Sequence, residues 1–250
     1  MKATKHILAI HAHPDDVEIL CAGTLALLAA QGHRISIVSM TPGDCGSADR
    51  GPEEIAAVRR EEALRSAQRI QADYRCAEFR DLSIFVTDSA RRRVTGLLRE
   101  IRPEIVLTSS PADYHCDHEA TSALVQDACF AAPAPNYASE GSSAPPLPAI
   151  PHLYFVDRIE AAEDEPRDFF VDVSSVFPTK RAMLGEHRSQ RDWLKKHHGI
   201  DDYLEQMERW CAQVGRRAGV QYAEGFRQCH RHSYPQTPVL QELLAEYIRV

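Results

Sequence analysis

The sequence predicts an α/β fold, a mostly parallel sheet with helices on both faces, and three observations predict it. Short apolar runs at Ile7-Leu8-Ala9-Ile10, Ile35-Ser36-Ile37-Val38-Ser39-Met40 and Ile105-Val106-Leu107 are strand-like. Segments of helical apolar spacing separate them, and that alternation is the signature of a parallel sheet covered by helices. Clusters of imidazoles and carboxylates, His11-Ala12-His13-Pro14-Asp15-Asp16 and His115-Cys116-Asp117-His118, lie just beyond the first and third runs. Both clusters are thereby placed at the carboxyl ends of strands, the edge at which open α/β sheets bind ligands.

The elements follow in order. Ile19, Leu20, Ala22, Leu25, Leu27 and Leu28 form a helical pattern that stops near Gln31-Gly32, and the strand at 35–40 completes a β-α-β start. Residues 41–52, with Gly43, Gly46 and Gly51, read as a loop, and 53–70 as a charged amphipathic helix. A helix over 87–101 is stopped by Pro103. Residues 131–151 carry Pro133, Pro135, Pro145, Pro146, Pro148 and Pro151 with several serines, a long loop of the kind that serves as a lid or stays mobile. Strand patterns return at 153–156 and 169–173, and helical ones fill much of the remainder, including 239–248.

A chain of 250 residues buries a full core, and one catalytic domain over 1–250 is the simplest organisation. The net charge of −7 argues against a nucleic-acid partner. No run is long and apolar enough for a membrane span. The start at Met1-Lys2-Ala3-Thr4-Lys5-His6 lacks the apolar core of a secretory signal. Seven cysteines without a CxxC pair suit a reducing compartment, so a cytoplasmic location is expected.

The two clusters supply what metal-assisted hydrolysis needs: ligands, a base and an oxyanion partner. His13, Asp16 and His118 are the expected zinc ligands, two imidazoles and one carboxylate leaving a position open. Asp15 adjoins a ligand but diverges from it in an extended segment, and is placed to take a proton from water. His115 is expected across the metal, donating to the oxyanion, with Asp117 orienting or charging it. Tyr114 is either a hydrogen-bonding contact for substrate or a partly buried tyrosine. The competing reading, turn and cap residues at strand ends, loses weight because the second cluster repeats the first. His197-His198, Cys229-His230-Arg231-His232 and Arg91-Arg92-Arg93 read as surface residues.

Ala12-His13-Pro14-Asp15-Asp16-Val17-Glu18 and His115-Cys116-Asp117-His118 resemble the two signatures of the PIG-L/LmbE-like zinc-dependent N-deacetylases. Weaker similarities run through Thr41-Pro42-Gly43-Asp44, Arg59 and Glu62, Phe79-Arg80-Asp81, His187-Arg188-Ser189-Gln190 and Ala223-Glu224-Gly225-Phe226. The resemblance implies a Rossmann-like three-layer fold, Zn2+ on His13, Asp16 and His118, Asp15 as general base and His115 as transition-state stabiliser. It implies removal of the acetyl group from an N-acetylglucosamine-type conjugate, with Arg50 and Asp81 on sugar hydroxyls, His187 in the pocket, and a homo-oligomer. Cys116 replaces the proline common between the second motif's histidine and aspartate, and Asp44 a frequent glutamate, departures that bear on substrate preference. An amidase for another small amide, such as a thiol conjugate, is the alternative within hydrolases. A nucleotide-binding Rossmann protein is disfavoured because no GxGxxG follows the first strand. A non-catalytic metal-binding scaffold would need neither Asp15 nor His115.

Overall fold

The first strand, β1 (His6–His11), becomes the centre of the sheet because both of its faces are apolar. Ile7 and Ala9 enter one core cluster, and Leu8 and Ile10 enter the other on the opposite face. Parallel partners flank it, Ile7 standing opposite Ile35 of β2 (Arg34–Ser39) and Ile105 of β4 (Ile105–Thr108). The parallel set is completed by β3 (Asp73–Cys76) and β5 (His152–Val156). Three further strands, β6 (Phe169–Asp172), β7 (Ala223–Gln228) and β8 (Ile248–Arg249), continue the sheet antiparallel. The order is β3-β2-β1-β4-β5-β7-β6-β8. The computed structural model describes residues 3–159, 167–199 and 202–250, without the side chain of His198, so the readings at Met1, Lys2 and His198 lie outside the described residues.

Helices cover both faces. On the Ile7 side lie α1 (Asp16–Leu20), α2 (Ala22–Ala30), the end of α3 (Pro52–Gln68) and α6 (Phe177–Leu184). On the Leu8 side lie α4 (Asp88–Ile101) and α5 (Cys116–Ala131). Thr87 caps α4 by accepting the Ala90 N–H. Two amphipathic helices, α7 (Arg188–His198) and α8 (Tyr203–Ala218), follow α6. No helix of the described residues is long and apolar enough to cross a membrane.

Three elements depart from expectation. β3 and β7 were not predicted, since Asp73-Tyr74-Arg75-Cys76 and Ala223-Glu224-Gly225-Phe226 lack an apolar run. β7 tolerates Glu224 because a buried network satisfies it: the carboxylate accepts the N–H groups of Gly23 and Thr24 at 2.9 and 2.8 Å, and Lys180 Nζ lies 2.5 Å away. The expected helix over 239–248 is only α9 (Val239–Leu243), because Ile248 pairs with Val171 as β8. The proline-rich stretch 131–151 packs on α4. Arg99 stitches it to α4 by donating to the carbonyls of Ala132, Ala134 and Tyr137 at 2.8–3.0 Å, and none of its residues lines the cleft described next.

Candidate metal centre and catalytic cleft

Strand order reverses at β1, with β2 on one side and β4 on the other, so the loops leaving β1 and β4 open a crevice between them. The first loop brings His13, Asp15 and Asp16, and the second brings Asp113 through His118. Asp15 and Asp16 diverge, but not through an extended segment. Asp15 has φ 101°, a left-handed conformation rare for a residue with a side chain, and α1 begins at the next residue. The turn directs Asp16 back toward the His13 N–H, which it accepts at 2.8 Å, while Asp15 faces Arg59 and Tyr203.

His13 Nδ1 and His118 Nε2 lie 3.3 Å apart, and each is 3.4 Å from an oxygen of Asp16. Their second ring nitrogens are engaged elsewhere. His118 Nδ1 faces Asp113 at 3.1 Å, and His13 Nε2 faces Asp81 at 3.1 Å and Asp117 at 3.4 Å. A carboxylate behind each imidazole is the arrangement that orients metal-binding histidines, leaving one lone pair of each ring aimed at a common point. The same carboxylates favour protonated rings. Burial works against the charged form, yet Asp16 and Asp113 raise His118 to about 10, and Asp117, Asp16 and Asp81 raise His13 well above its ordinary value. Other donor groups also approach one another here, including His13, His115 and His118.

Asp15 is buried, and burial raises its carboxyl above the usual range against the pull of Arg59, whose Nη2 stands 3.7 Å from Oδ1. A raised carboxyl is a stronger base near neutral pH. Arg59 itself donates to the Pro14 carbonyl at 3.0 Å and the Gly43 carbonyl at 3.3 Å. Gly43 has φ 71°, and a Cβ there would meet the guanidinium at 2.3 Å. The helix bearing Arg59 is tied to α7 through Glu62, which accepts from the Ser189 N–H and hydroxyl at 2.9 and 2.6 Å.

His115 is the N-cap of α5, its Nδ1 accepting the Asp117 N–H at 3.2 Å. Burial first, then His13 and His118, lower its pKa, so the ring is neutral at pH 7 and carries its proton on Nε2. The ring stacks 4.9 Å from that of His118 and meets that of His13 edge-on at 4.8 Å. The expectation that the Asp117 side chain orients His115 is corrected by this geometry. The Asp117 carboxylate accepts from the Leu82 and Ile84 N–H groups at 2.7 and 3.3 Å, turned toward His13, and its backbone does the orienting instead.

The crevice opens into a cleft of about 600 Å³. Asp81 and Tyr114 line it, Tyr114 at 67% exposure with its ring edge-on to His115 and His118. Two expected substrate residues lie elsewhere. Arg50 pairs with Glu54 at 3.3 Å on the surface, one helical turn of separation allowing the contact, and does not line the cleft. His187 is buried with Nε2 3.2 Å from Glu18, and despite burial Glu18 raises its pKa. Residues not singled out beforehand complete the walls: Tyr203, Arg158 and both tryptophans of the chain, Trp193 and Trp210. Their one sequence signal is that the tryptophans fall in amphipathic helices of the carboxyl-terminal half.

Fold and site together define an α/β protein with a two-histidine, one-carboxylate centre at the switch point of its sheet. The sequence profile of the GlcNAc-PI de-N-acetylase family, PIG-L, matches residues 8–129. The chain is 33% identical over 133 residues to the uncharacterized deacetylase YaiS of Escherichia coli, covering 52% of this chain and 70% of that one. It is 28% identical over 233 residues to diacetylchitobiose deacetylase of Thermococcus kodakarensis, covering 89% and 82%. It is 29% identical over 191 residues to 4-oxalmesaconate hydratase of Pseudomonas putida, covering 72% of each. Among solved structures, N,N'-diacetylchitobiose deacetylase from Pyrococcus horikoshii superposes with a TM-score of 0.78 at 26% identity, over 95% of this chain and 90% of that one. The chain belongs to the PIG-L family of de-N-acetylases.

Proposed function

We propose that this chain is a zinc-dependent N-deacetylase that removes the acetyl group from an N-acetylglucosamine-type conjugate in the cytoplasm. The observation that carries the reading is the convergence of His13 Nδ1 and His118 Nε2, 3.3 Å apart, each 3.4 Å from a different oxygen of Asp16, with a carboxylate behind each ring. Tetrahedral zinc with ligands at about 2.0–2.1 Å has ligand–ligand edges of about 3.3–3.4 Å, the spacing of the two ring nitrogens, and two imidazoles with a carboxylate suit the ion in chemistry. When bound, zinc supplies Lewis-acid activation of the amide carbonyl and of water. Asp15 accepts the proton of the attacking water and passes it to the departing amine, so that amide and water become acetate and free amine. Neutral His115 donates its Nε2–H to the charge that develops on the carbonyl oxygen. Asp81 and Tyr114 contact the sugar, and Trp193 and Trp210 offer flat apolar faces to the sugar and its aglycone. The diacetylchitobiose deacetylases among its relatives support the substrate class. Seven free cysteines support a reducing compartment.

Similarity to 4-oxalmesaconate hydratase raises a second reading, addition of water to a carbon–carbon double bond. The cleft argues against a polyanionic substrate. Among its described lining residues the cations near the centre are Arg59 and Arg158, and Arg59 is committed to Asp15 and two carbonyls, while Asp15, Asp16 and Asp81 are acidic. Metal analysis of the purified protein should find about one zinc per chain. The same preparation should release acetate from diacetylchitobiose, and lose that activity to a chelator. Hydration of 4-oxalmesaconate without acetate release from any conjugate, thiol conjugates included, would overturn the deacetylase reading.

A further inference from the structure

We infer that Tyr203 is a positioning residue for Asp15, supplied by the carboxyl-terminal helix α8 and deciding which oxygen of that carboxylate faces the cleft. The inference rests on Asp15 acting as the base. The Tyr203 hydroxyl donates to Asp15 Oδ2 across 188 residues of chain. The only ion pair to the other oxygen, among the described residues, is that of Arg59 at 3.7 Å, too long for a hydrogen bond, so Oδ1 keeps its lone pairs for water.

The phenol is well placed to hold this arrangement. Tyr203 is 6% exposed and belongs to the core cluster formed by Phe177, Leu184, Met207 and Cys211, so packing between α6 and α8 sets where its hydroxyl stands. Asp15 adopts a left-handed backbone conformation that its surroundings must enforce. Arg59 cannot follow a rotating carboxylate, because it is anchored on the carbonyls of Pro14 and Gly43. Tyr203 also lies outside residues 8–129, the stretch matched by the family profile, so this part of the site is contributed by the half of the chain that the profile does not describe.

Tyr203→Phe keeps the ring and removes the hydroxyl. Because misplacing a reacting group by an ångström costs about a hundredfold, kcat should fall by about ten- to a hundredfold, with KM and zinc content unchanged. A crystal structure of the same variant should show the Asp15 carboxylate rotated from its wild-type orientation, an arm that needs no substrate. An unmoved carboxylate overturns the inference, as does unaltered kcat or a loss confined to KM. Tyr203→Ala, which also empties the ring's place in the core, should lower Tm well beyond Tyr203→Phe; equal losses would mean that the hydroxyl matters only for folding. Asp15→Asn separates the two readings. If it keeps full turnover, the base assignment fails; if it is inactive while Tyr203→Phe is fully active, only the role of Tyr203 fails.

Discussion

Two clusters of buried charge flank the same short helix pair, and they follow opposite rules. At Lys180 and Glu224 one cation meets one anion, and the remaining capacity is used inside the protein: Glu224 accepts from Gly23, Thr24 and the Thr24 hydroxyl, and Lys180 donates to the Ile19 carbonyl at 2.8 Å. That cluster closes the start of α2 against β7, and no lone pair is left pointing at empty space. Around His13 and His118, by contrast, Asp16, Asp81, Asp113 and Asp117 crowd two imidazoles, and the facing ring nitrogens and Asp16 converge on one point. A balanced buried pair is architecture, whereas an excess of carboxylates around converging lone pairs is a place prepared for a cation.

The comparison is broken most directly by exchanging the consequences. His118→Ala should abolish zinc binding and reduce turnover to background, and it should also lower Tm, because Asp16 and Asp113 lose their buried partner. Lys180→Met should leave zinc stoichiometry intact and destabilise the fold by about 3–5 kcal/mol, because Glu224 is left buried without its cation. Metal analysis of both variants, with chemical denaturation to confirm that each is folded, measures this, and a Lys180→Met protein that loses its zinc, or a His118→Ala protein that keeps it, would erase the distinction. Next in size, His115→Ala should lower kcat by about a hundredfold to a thousandfold with zinc retained, as expected for one oxyanion donor. A rise in KM with kcat preserved would assign His115 to substrate binding instead.

The smallest effect concerns protons. In the metal-free protein His118 is raised to about 10, so it is protonated at neutral pH and must lose that proton to become a ligand. Zinc titrated into weakly buffered metal-free protein at pH 7 should release protons, and apparent affinity should climb as pH rises toward 10. The sign for stability is the reverse. A histidine raised by folding stabilises fully below its unfolded pKa of about 6.5, and that contribution disappears as pH rises through its folded value. Calorimetry in two buffers of different ionisation enthalpy reads the proton release, and its absence would mean that His118 is neutral before metal arrives.

Particular residues show how much was legible beforehand. The parallel strands β1, β2 and β4 were readable because burial on both faces writes a continuous or nearly continuous apolar run. β7 was not, since its suitability for the sheet depends on Lys180 and on the N-terminus of α2 satisfying Glu224. His11 belongs to the first cluster by sequence, yet it is fully buried, faces the Ser109 hydroxyl at 3.1 Å and has a pKa pushed down by burial to about 4. In the sequence His13, not His11, is the expected metal ligand, and the structure gives His11 a separate, buried setting on Ser109.

The sequence by itself determined the fold class, the family and the proximity of the two polar clusters, because each is written in a few adjacent residues: apolar runs that become strands, and donor-rich turns just beyond them. Only the tertiary structure decided which way the side chains face. It turned the Asp117 carboxylate toward Leu82 and Ile84, sank His187 against Glu18, left Arg50 on the surface, and brought Trp193, Tyr203 and Trp210 over the centre. The reason is physical. A strand or a turn is stabilised by contacts within a short segment, whereas the direction of a buried side chain is set by the packing of elements up to 188 residues apart, as for Tyr203 and Asp15.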